Sequence, residues 1–297
     1  MTEYFLSLRA EWLKIIHNYK FNAFLVWILP IGMLAFYCFM IIGGLLTKAP
    51  PEELVYGCGG QWTDNLYNVW NFIIASPGSI FGRILPLAFF AVVFAGEYQW
   101  GTWKNLVPRS RRMTLLLSKA GAALLAVILS ILITAPISAG GQAILCRVGG
   151  AAFGPALGEF SFAAVLRDFT LRCLIGVLAL AVVLGFASLS SVLTRSILGG
   201  FLGGFGLSLM EVLSLGILVL LSNIFDKPEI LNAYQFTPAY NIENLQGWFF
   251  QGQPFLGELL DLNIQVPVAQ SLAVLIAWSV IPFLITLLLF QKQDLTN

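Results

Sequence analysis

Residues 96–119 read GEYQWGTWKNLVPRSRRMTLLLSK and separate two long apolar runs, one over 80–95 and one over 115–145. A bilayer-spanning helix needs ~20 mostly apolar residues, and both runs approach or exceed that length. The quoted stretch therefore reads as a polar connection between two membrane spans. Applied outward, the same criterion finds four further spans, over 24–46, 171–193, 197–221 and 268–290. Pro30, Pro86, Pro136 and Pro282 fall inside spans, where neighbouring helices can satisfy the backbone groups they free. The expected fold is an all-α membrane protein of six transmembrane helices, forming one transmembrane domain over residues 1–297.

Composition agrees. The 297 residues are 58% hydrophobic and 10% charged. A soluble domain is ~25% charged, and a water-facing surface could not be built from so few charges. The net charge of +1 names no partner, and no basic stripe interleaved with aromatics suggests nucleic acid.

The distribution of Lys and Arg sets the orientation. With the N-terminus inside, ten basic residues face inward: Arg9, Lys14, Lys20, Lys104, Arg109, Arg111, Arg112, Lys119, Arg195 and Lys292. Five face outward, namely Lys48, Arg147, Arg167, Arg172 and Lys227, and Arg83 lies within a span. The two-to-one ratio predicts N-in, C-in topology in a cell membrane. Residues 1–20 mix charge with Trp12, Ile15, Ile16 and Tyr19 and show no small-residue cleavage site, so no cleavable signal is expected. The outer segment 222–267 is rich in aromatics, with Pro238 and Pro254. It suits either short helices dipping into the outer face or an ordinary loop with interfacial anchors.

Several chemistries are missing. No GxxxxGK[ST] phosphate loop occurs, and no lysine follows a glycine anywhere. One histidine, His17, and four cysteines without a CxxC pair argue against a metal site. Cys58, Cys146 and Cys173 fall on the outer side, where a disulfide could form. Composition favours the plainer reading of small apolar residues in or near lipid. An enzyme is the weaker class, because the spans hold few polar groups that could act as catalysts.

Within 97–112, Glu97, Lys104, Arg109, Arg111 and Arg112 are polar, while Trp100, Trp103, Leu106 and Val107 recur at helical spacing. This pattern predicts an amphipathic surface helix closed by Pro108. A basic loop that only sets topology would explain the charge but leaves the two tryptophans and Glu97 without a purpose.

These residues resemble the signature of ABC-2 type transport permeases. An acid ends the second span (Glu97), followed by a Gly-Thr pair (Gly101, Thr102), a basic residue (Lys104, with Arg109 further on) and a Ser-Arg pair (Ser110, Arg111), with Lys119 entering the third span. AEWLKI at 10–15, with Glu11 and Lys14, is similar to the family's amphipathic N-terminal connecting helix, here placed over 1–22. FTPAYNIENL at 236–245 and FQKQD at 290–294 resemble its outer proline element and its C-terminal exit. The resemblance implies a coupling helix over 96–113 and a chain with no cofactor of its own. The implied partners are two copies of an ATP-binding subunit carrying ATP and Mg, and a second copy of this chain or a homologous permease. Alternating access would then export a substrate, the chain itself being no enzyme. An apolar cavity favours an amphipathic or hydrophobic cargo such as a peptide, an antibiotic or a lipid-like molecule, with peptide export or immunity as a role. An ion-coupled secondary transporter or channel is the alternative, and it would need midplane carboxylates or paired inverted halves.

Two charges lie inside spans. Arg83 and Glu211 each sit roughly 20 Å from the inner face at ~1.5 Å per residue, a depth that permits an ion pair. The pair would act either as a latch or polar lining, or as a static contact fixing helix packing. Gly199 and Gly203, like Gly200 and Gly204, are four apart and allow close helix approach, within the subunit or across a dimer.

Overall fold

In lipid a backbone must satisfy its own hydrogen bonds, and a chain this apolar does so as helices. The computed structural model describes residues 2–17, 19–47, 58, 61–74, 79–106, 111–151, 154, 161–255 and 265–293. In chain order the helices are α1 (Thr2–His17), α2 (Tyr19–Thr47), α3 (Trp62–Ile74), α4 (Ser79–Gln99), α5 (Trp103–Leu106), α6 (Arg112–Val148), α7 (Phe162–Thr194), α8 (Ile197–Val212) and α9 (Ser214–Phe225). A 3₁₀ helix (Pro228–Phe236), α10 (Pro238–Gln246), a π turn (Gly247–Gln251) and α11 (Val268–Lys292) follow. The described residues contain no strand, only one isolated bridge between Gln61 and Gly154.

Five helices, α2, α4, α6, α7 and α11, carry segments long and apolar enough to cross a membrane. A sixth span exists if α8 and α9 count as one. Those two meet at a 62° bend, whereas the sequence predicts one straight span over 197–221. The break falls at Leu213, and neither neighbour is Gly or Pro, so nothing local announces it.

α7 is the hub, packing against α3, α4, α8 and α11. Ala179, Leu180, Val183 and Ala187 are wholly buried along it. The α8 glycines use the same helix. A Cβ on Gly200 would collide with the Ser191 hydroxyl and stand 3.1 Å from the Ser191 Cα. On Gly204 it would stand 3.2 Å from the Ala187 Cα. At Gly203 and Gly199 it would meet Ser190 Cβ at 2.9 Å and Thr194 Cβ at 2.6 Å. The small-residue face thus packs within one subunit.

α3 has no counterpart in the sequence reading, yet its signals are present. Trp62, Leu66, Val69, Trp70, Ile73 and Ile74 follow helical spacing, and the Asp64 carboxylate accepts the Gln61 backbone N–H at 3.1 Å, half a capping box. Trp70 is wholly buried and fills the space that Gly176 leaves on α7. Arg172 of α7 lies between the rings of Tyr67 and Phe250, 4.7 and 4.0 Å from their centroids, and its Nη1 donates to Asn71 Oδ1 at 2.7 Å.

Cys58 and Cys146 form a disulfide, correcting the preference for unbridged cysteines. Cys173 and Cys38 remain free. Composition could not reveal that Cys58 meets Cys146 near the end of α6. In the outer segment, the 3₁₀ helix, α10 and the π turn form a packed unit around Tyr234, Tyr240 and Val266. Residues 256–264 of that segment lie outside the described residues, as does Asp294 of the exit motif.

Candidate functional site

The sequence predicts one surface helix over 97–112. Instead α4 runs on to Gln99, so Glu97 belongs to the last turn of a span. Gly101 then takes φ +64°, the left-handed region that glycine enters without strain, and ends the helix. The turn brings Thr102 back under the helix, where its hydroxyl donates to the Glu97 carboxylate and its backbone N–H donates to the Glu97 carbonyl at 3.1 Å. The Gly-Thr pair and the preceding acid are therefore one unit: the glycine makes the turn and the threonine holds the acid. One helical turn, α5, follows. Arg109 and Ser110, with Val107 and Pro108, lie outside the described residues, while Lys104 and Arg111 are exposed.

Glu97 is one corner of a charge quartet of which Glu11, Glu97 and Lys119 are buried. Lys119 of α6 reaches Glu97 Oε1 at 2.7 Å and Glu11 Oε2 at 2.9 Å. Lys14 reaches Glu11 Oε1 at 2.7 Å and Glu97 Oε1 at 3.2 Å. Each carboxylate meets both ammonium groups, so the charges cancel locally. Lys119 is 3% exposed at its side chain, a burial that a lysine tolerates only when paired. Lys14 is half exposed. Burial alone would lower its pKa, but the hydrogen bond and charge of Glu11, joined by those of Glu97, outweigh this and raise it above the ordinary lysine value.

The quartet fastens α1 across α6. Tyr4, Ser7, Leu8 and Glu11 share one face of α1, with Ser7 Oγ 2.8 Å from Ser118 Oγ and Tyr4 and Leu8 over Gly121. A cavity of about 600 Å³ opens beside the quartet, walled by Ile15, Val92, Val93, Trp100 and Leu106.

Trp103, Arg112 and the FQKQD exit, whose mutual contacts the sequence does not announce, complete this end of the bundle. The Trp103 ring is buried 4.6 Å from Phe290 and 5.6 Å from Tyr98, with Lys119 Nζ 5.5 Å from its centre. Arg112 Nη1 donates to three carbonyls at the end of α11: Phe290 at 3.0 Å, Gln291 at 2.7 Å and Gln293 at 2.9 Å. Gln293 accepts the Tyr98 hydroxyl at 2.7 Å and donates to the Val192 carbonyl at 2.9 Å. An arginine following two others in sequence gives no sign that it turns inward.

Away from this end, Arg83 and Glu211 are both buried, with Arg83 Nη1 2.8 and 3.0 Å from the two carboxylate oxygens. Arg83 Nε also donates to the Ile73 carbonyl at 3.0 Å, and Gln246 donates to the Ile74 carbonyl at 3.2 Å. The last carbonyls of α3 end inside the bundle, where water cannot reach them, and these side chains supply the donors. The guanidinium thus meets two negative partners: a carboxylate and a helix C-terminus.

Among the described residues no group of three His, Cys, Asp or Glu could hold a metal. No curated protein matches this chain. A family model described as ABC-2 family transporter protein matches residues 7–295, and with the match running through every span and through the Glu97 turn, the chain belongs to that family.

Proposed function

We propose that the chain is the membrane-spanning half of an ATP-driven exporter, with the Glu97 end facing the cytoplasm and the ATPase on a separate subunit. The observation that carries this is the quartet. It joins α1, the end of α4 and the start of α6 into one block beside the exposed basic residues Lys104 and Arg111. A docked motor that moved the Gly101–Leu106 turn would move three helices at once. Binding to the motor transmits force only if the contacts differ between its two states. Glu97, Gly101, Thr102, Lys104, Arg109, Ser110 and Arg111 form the docking element, with Glu11 and Lys14 carrying it to α1.

The disulfide supports this orientation. Cys146 lies 34 residues along α6 from Arg112, about 50 Å at 1.5 Å per residue. The bridge therefore sits across the membrane from the quartet, on the side where disulfides persist. Two permease copies and two ATPase copies would make the transporter, alternating between inward- and outward-open forms. Its apolar spans suit an amphipathic or hydrophobic cargo. Glu211 at a helix break is the one feature that suits an ion-coupled transporter. Arg83 already occupies both of its carboxylate oxygens, which favours the exporter reading.

The test is a pull-down of the tagged chain from native membranes, with ATP hydrolysis measured in the eluate. An ATP-binding subunit should co-purify, and replacing Lys104 and Arg111 with glutamate should release it. A chain that comes out alone after gentle extraction would overturn the proposal.

A further inference from the structure

We infer that the coupling turn drives the last span, α11, through Trp103 packed against Phe290, along a branch that meets the charge quartet only at Lys119, and that Arg112 is the positioning residue that holds the receiving end. This rests on the exporter reading above and adds a second output to it. The quartet explains how motion reaches α1. Among the described residues none of its hydrogen bonds or ion pairs reaches α11, although α11 packs along the central helix α7.

The second branch is built from packing. The Trp103 indole N–H is buried with no hydrogen-bond partner, so the ring is held by its neighbours alone. Its nearest aromatic neighbour is Phe290, which is wholly buried in the last turns of α11. α5 is a single turn that begins two residues after Gly101, whose left-handed backbone isolates it from α4. A displacement of α5 must carry Phe290 with Trp103 or open an indole-sized void in a close-packed core.

The receiving end is stiff. The final carbonyls of a helix lack partners within it, and Arg112 Nη1 shares its two hydrogens among three such groups at the end of α11. Its charge also suits the negative end of the α11 dipole. Gln293 links the same turn to α4 and α7. A push on Phe290 therefore moves the end of α11 as a unit. Lys119 belongs to both branches, pairing with Glu11 and facing the Trp103 ring, which keeps the two outputs in step.

The test uses the complex with its ATPase, in a background where Cys38 and Cys173 are serine. One reporter is Ala269→Cys at the far end of α11, and the other is Arg9→Cys on the exposed side of α1. Maleimide labelling is timed with and without ATP. In the parent complex ATP should change both rates. With Phe290→Ala, co-purification, ATP hydrolysis and the Arg9→Cys response should persist, while the ATP-dependent rate ratio at position 269 falls to about one. Arg112→Gln should do the same, and it decides the matter if Phe290→Ala fails to assemble. A position-269 response that survives both changes would overturn the inference, as would loss of both reporters together. A parent complex that responds at position 9 and not at 269 sinks this inference alone. A parent chain that binds no ATPase sinks the exporter reading with it.

Discussion

Exchanging Arg83 and Glu211 should only partly restore what either single charge reversal destroys, even though the two residues form an ion pair. The pair is buried at 3% and 2% of side-chain exposure, and Arg83 has a second duty to the Ile73 carbonyl. Arg83→Met leaves the Glu211 carboxylate buried and unpaired, which costs about 3–5 kcal/mol. It also strips the carbonyl of its donor, for about 1–3 kcal/mol more. The double change Arg83→Met with Glu211→Leu removes both charges. Apolar replacement of a buried pair is often near neutral, so only the carbonyl loss of about 1–3 kcal/mol should remain. The exchange, Arg83→Glu with Glu211→Arg, restores the pair but turns a carboxylate toward the carbonyl end of α3, where the helix dipole is negative. It should therefore be less stable than the apolar double variant and more stable than either single reversal. The assay is SDS-induced unfolding of the purified chain in mixed micelles, followed by tryptophan fluorescence. An exchanged variant as stable as the parent would refute the claim that Arg83 caps α3.

Three further outcomes follow from the geometry. Gly101→Ala has open space around its new methyl, so only the positive φ opposes it. The expected loss is about 1–3 kcal/mol, seen as weaker protection of α1 from protease once Thr102 no longer holds Glu97, and a fully protected α1 would contradict it. Gly200→Val should destabilise the chain by about 1–3 kcal/mol or more through its collision with Ser191, whereas valine at Gly206, which faces open space, should have little effect in the same unfolding assay. Cys58→Ser should abolish the mobility difference between reduced and unreduced protein on a denaturing gel and leave Cys146 open to alkylation; an unchanged pattern would mean that the bridge does not form in the membrane.

Much of this molecule is legible in its sequence because lipid imposes a one-dimensional rule. A long apolar run must be a helix, and its ends follow from charge. That rule places α2, α4, α6, α7 and α11 within a few residues, apart from an α7 that starts nine residues early. It fails where tertiary contacts decide. The bend at Leu213 leaves no mark, because neither Val212 nor Ser214 is a helix breaker. α3 carried a cap and an apolar stripe, but at 13 residues it is too short to pass as a span and lies in a region read as loop. Glu97 and Thr102 could be named from their pattern. The partnership of Glu11, Lys14 and Lys119 could not, since it depends on how α1 crosses α6. Trp103 was counted with Trp100 on one apolar face, yet the turn at Gly101 buries the first and leaves the second half exposed.

The 37 residues of α6 make one rod of about 55 Å whose ends are held by different means. Ion pairs grip one end and a covalent bridge grips the other. A tilt of about 5° at Lys119 would swing the distant end, about 44 Å away, by nearly 4 Å if the rod were rigid throughout. Pro136 sits about two-thirds of the way along, where a missing hydrogen bond softens the helix. The rod is thus a lever with a joint near its clamped end. Small rotations can be absorbed at the proline, and only larger ones must drag Cys58 along with them.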